Sequence, residues 1–271
     1  MTQDIRNAKV ALVTGASRGV GRGIAHALGA AGWTVWVTGR SSRASGPTSH
    51  LPGTVEDTAD AVTAAGGRGI AAVCDHRDDS QVRDVIARIK AECGALRLLV
   101  NNAWAGYERL NAGEWEEWNA PFWEQPVELW DAMFGSGVRA HYVTIALCAP
   151  LLRAAPGSLV VTVSMEAGSG HDARYGVAYS VAKAADDRLA LAVSTALSDA
   201  GVVSVALHPG LVRTEGVMQF AEHLDLTDSQ SAEGVGRVVA ALAADGEAMS
   251  LTGRALTVSG LARRYGIDPS T

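Results

Sequence analysis

The chain has 271 residues, a formal net charge of −6 and an apolar fraction of 48%, a length and balance that suit one α/β domain with a substantial buried core. No basic block favours nucleic acid, no window is apolar for long enough to cross a membrane, and Met1 to Lys9 is polar, without the apolar stretch of a secretory signal. Cys74, Cys93 and Cys148 form no CxxC pair and the histidines show no ligand spacing, so neither a disulfide framework nor a metal site is expected, and a cytoplasmic setting fits.

The first element is an apolar run, Val10 to Val13, followed by Thr14-Gly15-Ala16-Ser17-Arg18-Gly19-Val20-Gly21. Ile24 to Leu28 is apolar at helical spacing, Gly32 stops that helix, and Thr34 to Thr38 is a second apolar run. Strand, glycine turn, helix and strand make a parallel βαβ unit. Glycines in that turn let the backbone approach a pyrophosphate, and the helix behind them aims its unpaired N–H groups at the same anion. The residues expected to hold a dinucleotide here are Gly15, Ser17, Arg18, Gly19, Val20 and Gly21. An NAD enzyme usually places Asp or Glu at the end of the second strand. This chain has Gly39-Arg40-Ser41 there, and Arg18 in the turn, which suits the 2′-phosphate of NADP(H), with NAD(H) the less favoured alternative.

Residues 41–53 form a long polar loop in which Ser41 and Arg43 are further candidate phosphate donors, a disordered surface loop being the alternative. Val55 to Ala65 reads as a helix, Ile70 to Cys74 as the third strand, Gln81 to Glu92 as a helix and Leu96 to Val100 as the fourth strand. Asp75 and His76 follow strand three, where a carboxylate can meet the adenine amino group, and Asn101-Asn102-Ala103 follows strand four. Residues 104–130 are an aromatic-rich insertion holding Trp104, Tyr107, Trp115, Trp118, Phe122, Trp123 and Trp130 among acidic residues, read as a pocket wall or lid, or as plain packing or a subunit contact. Val127 to Leu152 is helical in pattern, and Gly135-Ser136-Gly137 predicts a kink or local opening in it. Leu159 to Val163 is strand five and delivers Ser164. A loop from Met165 to Tyr175 leads into a helix from Tyr179 to about Leu197. Val202 to Leu207 is strand six, ended by His208-Pro209-Gly210. Residues 214–230 are an irregular segment, apolar on one side, that suits a substrate lid. Ala232 to Ala243 is a helix, Ala255 to Val258 the seventh strand, and residues 261–266 a tail. Alternation of strands and helices throughout implies one doubly wound domain over residues 1–271, with a mostly parallel seven-stranded sheet.

The reactive constellation is Ser164, Tyr179 and Lys183. Tyr and Lys four apart share a helix face. A neighbouring ammonium stabilises a phenolate, so the phenol can exchange a proton nearer neutral pH. Tyr179 can then protonate a carbonyl oxygen while hydride reaches its carbon, and Ser164 can hydrogen-bond the same oxygen. YxxxK alone is weak. Its place in order after the glycine turn, the Asn at strand four and the Ser at strand five makes it specific.

Taken together, Thr14-Gly15-x-x-x-Gly19-x-Gly21, Asp75, Asn101-Asn102-Ala103, Ser164, Tyr179-x-x-x-Lys183 and Pro209-Gly210-x-Val212-x-Thr214 resemble the short-chain dehydrogenase/reductase (SDR) family over essentially the whole chain. Asn102-Ala103-Trp104-Ala105-Gly106, Phe122-Trp123-Glu124, His141-Tyr142 and Ala262-Arg263-Arg264-Tyr265-Gly266 are similar to the branch of dehydrogenase/reductase SDR family member one and its bacterial relatives. The resemblance implies a Rossmann-like oxidoreductase in which Tyr179 is the acid/base and Lys183 lowers its pKa and holds the nicotinamide ribose. It implies further that Ser164 orients the substrate oxygen, that Asn102 and Ala103 line the cofactor cleft with Pro209 and Gly210, and that Val212 and Thr214 meet the carboxamide. It also implies a homodimer or homotetramer joined through the helices around 127–152 and 179–197. Three positions depart from the family pattern. Trp104 replaces a glycine and narrows the cleft mouth, Gly137 stands where the family has a catalytic Asn, and the interval from Ser164 to Tyr179 is long.

The reading is therefore an NADPH-dependent reductase of a small carbonyl substrate, or the reverse alcohol dehydrogenase. Its substrate wall is expected from Trp104, Met165, Tyr175, Met218 and the segment Val217 to Leu224. An SDR enzyme acting on an imine or enone, and a nucleotide-binding regulator without turnover, are the alternatives.

Overall fold

The computed structural model describes residues 8–48, 50–108, 113, 115–166 and 176–271. Seven strands form one sheet: β1 (Val10–Val13), β2 (Thr34–Gly39), β3 (Arg68–Val73), β4 (Leu98–Asn101), β5 (Leu159–Val163), β6 (Val203–His208) and β7 (Ala255–Thr257). Their order is β3-β2-β1-β4-β5-β6-β7, and every pairing is parallel. The expected mostly parallel sheet is thus parallel throughout. The order reverses between β1 and β4, and in such sheets a ligand crevice opens beyond the carboxyl ends of the strands at that point.

Period-two alternation in the strands builds two cores, one on each face. On β1, Ala11 and Val13 face one side and pack with Ile24 and Leu28 of α1 (Gly19–Ala30), Val62 of α2 (Val55–Ala64) and Val239 of a later helix. Val10 and Leu12 face the other and pack with Ile86 and Ile89 of α3 (Asp79–Cys93). Because both faces are covered, the strands are apolar runs rather than alternating ones. Local chemistry sets the helix ends. Thr54 Oγ1 accepts from Asp57 N–H at 3.1 Å to start α2, and Asp78 accepts from Ser80 and Gln81 to start α3, each cap being worth about 1 kcal/mol.

The middle of the chain holds α4 (Trp115–Asn119), α5 (Val127–Met133), a π-helical segment Phe134–Arg139 and α6 (Ala140–Arg153). The opening predicted at Gly135-Ser136-Gly137 is this π segment, a widened turn of the kind found at functional sites. Ser136 Oγ anchors it, donating to Ala132 O and accepting from Ala105 N–H at 3.0 Å. Then follow α7 (Val177–Ala196), α8 (Glu215–Met218), a 3-10 turn Ala221–His223 and α9 (Ala232–Ala244).

The C-terminal end differs from the sequence reading. Thr257 Oγ1 accepts from Gly260 N–H at 3.0 Å, so the last strand stops one residue early and α10 (Val258–Tyr265) replaces the expected tail. Gly266, at φ 66°, closes that helix in the left-handed region. No described helix is long and apolar enough to cross a membrane.

Candidate active site

The carboxyl ends of β1, β2, β3, β4, β5 and β6 open on one cavity of about 550 Å³. Its nucleotide end is built on the turn between β1 and α1. Gly15 sits at φ +63°, and a Cβ there would lie 2.7 Å from Ala103 Cα. Only a glycine lets the turn come so close to the end of β4. Asn102 ties the two together, its Nδ2 donating to Thr14 O at 3.0 Å and Gly15 O at 2.9 Å. Thr14 Oγ1 accepts from the N–H groups of Asn102 and Ala103. Gly21 does not line this cavity. It faces Asn102 Nδ2, which would be 2.5 Å from a Cβ, so its role is to let α1 approach β4.

The residues fit a dinucleotide. The first amide of α1, Gly19 N–H, already holds an anion of the chain itself, donating to Glu215 Oε2 at 2.9 Å. Ser17, Arg18, Gly19, Val20, Arg40 and Ser41 line the same end. Arg18 Nη2 donates to Ser41 Oγ at 2.7 Å, and the Arg40 guanidinium pairs with Glu108. Burial pulls both guanidiniums below the usual arginine value, and arginine stays charged in proteins regardless. Arg43, the further donor considered from sequence, points elsewhere, into Asp57 and Asp60.

Asp75 reaches the cavity beyond β3 and is clasped by Arg77 at 2.7 Å. Burial opposes its ionisation, but Arg77 outweighs burial and keeps the carboxyl below the usual range. His76 also borders the cavity, while its ring nitrogens turn inward to Thr38 Oγ1 at 2.8 Å and Thr144 Oγ1 at 3.3 Å. Burial, helped by His141, lowers the His76 pKa to about 4, so the ring is neutral. Pro209, Gly210, Val212 and Thr214 line the cavity beyond β6.

At the other end α7 carries Tyr179 and Lys183, both buried. The Tyr179 hydroxyl donates to Met165 Sδ at 3.1 Å, and the rings of Trp104 and Tyr107 stand 5.7 and 5.8 Å from the Tyr179 ring. Ser164 lies beside them, its Oγ turned onto Lys183 O at 3.0 Å. Lys183 Nζ donates to Asp186 Oδ2 and to Val163 O, each at 3.3 Å. His141 Nδ1 is 2.9 Å from Asp186 Oδ1, and its Nε2 is 3.0 Å from Ala103 O.

Of the expected substrate wall, Trp104, Met165 and Val217 line the cavity with Phe220 and Leu224. Met218 does not. On the short α8 it points outward and is 46% exposed, while Val217 takes the inward position. Tyr175 lies outside the described residues. Sequence reasoning missed Asp186, fully buried beneath Lys183, and gave His141 no role. An Asp three residues after the lysine on one helix was the available signal.

The model of the short chain dehydrogenase family matches residues 9–225. The chain is similar to "Dehydrogenase/reductase SDR family member 1" of Mus musculus, 39% identical over 96% of this chain and 82% of that one. It is similar to the crystal structure of a short chain dehydrogenase from Burkholderia cenocepacia in complex with NADP, at TM-score 0.73 and 25% identity over 91% of this chain and 94% of that one. It also shares its fold with 3-oxoacyl-[acyl-carrier protein] reductase from Brucella melitensis in complex with NAD, at TM-score 0.78 and 23% identity over 95% and 98% of the two chains.

Proposed function

The chain belongs to the short-chain dehydrogenase family and is a nicotinamide-dependent oxidoreductase; from that premise we propose that it reduces a ketone or aldehyde to an alcohol with NADPH, or runs the reverse reaction, with Tyr179 as general acid/base. Tyr179 and Lys183 line the same cavity as the glycine turn between β1 and α1, and that arrangement is the observation that supports the assignment.

A bound nicotinamide supplies or takes up the hydride. Tyr179 hands its proton to the carbonyl oxygen, which takes the place of Met165 Sδ as the partner of the hydroxyl. Lys183, an ammonium close to the ring, lowers the cost of the phenolate that remains. Ser164 turns from the Lys183 carbonyl to donate to the same oxygen, fixing its direction. Trp104 and Tyr107 cover the phenol and limit water around it.

The proposed preference for NADPH rests on Arg18 and Arg40, which line the cavity with Ser41, the hydroxyl that accepts from Arg18, and which suit a 2′-phosphate. Binding a phosphate there exchanges the Glu108 carboxylate on Arg40 for a more highly charged anion. Titration with NADPH and NADH, followed by turnover on a panel of ketones and aldehydes, tests the assignment. The expected result is tighter NADPH binding and NADPH consumption with at least one carbonyl compound. NADPH bound but unconsumed across a broad panel would overturn it.

A further inference from the structure

The ammonium of Lys183 is buried, and burial alone drives a lysine toward its neutral form. A neutral amine would do nothing for the phenolate of Tyr179. Something must therefore keep Lys183 charged and in place.

Two groups meet its Nζ in ways that favour the charged form. The Trp104 ring centroid is 3.8 Å away, a cation–π distance, and Asp186 Oδ2 is 3.3 Å away. Trp104 is itself slotted between two glycines. A Cβ at Gly137 would lie 2.5 Å from its Cζ3, and a Cβ at Gly106 would lie 2.7 Å from its Nε1. The indole N–H is buried and has no hydrogen-bond partner among the described residues. Packing, not a polar contact, therefore sets the ring's orientation, at the cost of an unsatisfied donor. What the ring offers in return is its face to Lys183. Asp186, with no exposed surface, is held by His141, whose other nitrogen meets the Ala103 carbonyl. His141 thus stands between the Asp186 carboxylate and the Ala103 carbonyl, and ties α7 to the end of β4.

We propose that Trp104 and Asp186 are positioning residues of this site: together they hold Lys183 as an ammonium beneath Tyr179, with Gly137 making room for the indole and His141 fixing the carboxylate. This rests on the assignment of Tyr179 and Lys183 to acid/base work. Among the described residues the ionisable groups that bear on Lys183 are Tyr179, Asp186 and Asp187 on its own helix and His141 from α6, with His76 behind His141. Burial lowers Lys183 and Asp186 opposes it. Burial works to raise Asp186, and His141 and Lys183 outweigh it and leave the carboxyl below its usual range.

The test is the ionisation of Tyr179 itself, read without cofactor or substrate as the tyrosinate absorbance difference between each protein and the same protein carrying Tyr179→Phe. Asp186→Asn leaves a buried ammonium without its carboxylate, so the lysine discharges earlier and Tyr179 ionises about one pH unit or more higher. Trp104→Leu shifts it in the same direction. Gly137→Ala, which displaces the indole, also shifts it upward alone and adds nothing on the Trp104→Leu background. An unmoved Tyr179 titration in folded Asp186→Asn or Trp104→Leu protein would overturn the proposal. A downward shift in Asp186→Asn would do the same, since Asp186 would then act on Tyr179 only as a nearby anion. Trp104→Leu carries the test alone if Asp186→Asn does not fold. Because the titration needs no turnover, failure to find a carbonyl substrate would count against the proposed function and leave this result standing.

Discussion

The carboxylate of Glu215 caps the glycine turn: its Oε2 accepts from Gly19 N–H at 2.9 Å, and its Oε1 lies 3.6 Å from Arg22. Glu215 opens α8, so one side chain joins the glycine turn to the segment whose Val217 lines the same cavity. A dinucleotide phosphate approaching that amide meets a resident anion. An anion at a helix N-terminus is stabilised by about 0.3–1 kcal/mol. Glu215→Gln is therefore expected to tighten NADPH binding roughly two- to fivefold, measured by fluorescence titration, whereas unchanged affinity would show that the carboxylate does not compete.

The proposed preference for NADPH depends on Arg40, which lines the cavity beside Ser41. Hydrogen bonds to charged groups are worth about 1.5–3 kcal/mol. Arg40→Ser is expected to weaken NADPH binding roughly ten- to a hundredfold and to leave NADH nearly unchanged. Glu108→Gln, which releases Arg40 from its carboxylate, is expected to act oppositely and strengthen NADPH binding. Equal losses for both cofactors in Arg40→Ser would place the arginine away from the 2′ position.

The fold is expected to lose stability in acid through His76. Its folded pKa, lowered by burial to about 4, lies below the ordinary histidine value of 6.5. Between those values the unfolded chain binds a proton that the folded one does not, so stability rises with pH across this window and is lost as pH falls. The full effect of a shift from 6.5 to about 4 is of the order of 3 kcal/mol. Urea denaturation at pH 7 and pH 4 should show this loss in the wild type. The pH 7 to pH 4 difference should shrink in His76→Gln, and an equal difference in both proteins would remove His76 from the cause.

Self-association is expected through the helices that follow β4 and β5. Val127, Tyr142, Val177 and Val181 are 70%, 61%, 45% and 43% exposed on α5, α6 and α7, apolar side chains that such an interface would cover. Sedimentation of the wild type should report a dimer or larger, and Tyr142→Glu with Val181→Lys should report a monomer. A monomeric wild type would rule out this interface.

Most of the fold was legible because each strand is a short apolar run bracketed by glycine or polar turns, and because helices and strands alternate without interruption. The reading failed where one residue redirected the chain, as Thr257 does by capping a helix immediately after β7. In the site, the glycine turn, Ser164, Tyr179 and Lys183 were readable because each lies in a local pattern. Met218 was misplaced because α8 spans Glu215–Met218, too short to set a phase from periodicity. His141 and Asp186 were not readable as a pair, since they meet only when α6 packs near α7, and nothing local marks a contact made through the tertiary fold. The same holds for Glu215 and Gly19.

The most direct measurement is a single turnover of the NADPH-loaded protein on an accepted carbonyl substrate, comparing wild type with Tyr179→Phe. General acid catalysis by a positioned side chain contributes about 10²–10⁴-fold. With Tyr179 as the general acid, a loss in that range is expected, with NADPH affinity unchanged. A Tyr179→Phe protein that reduces the substrate at the wild-type rate would contradict it.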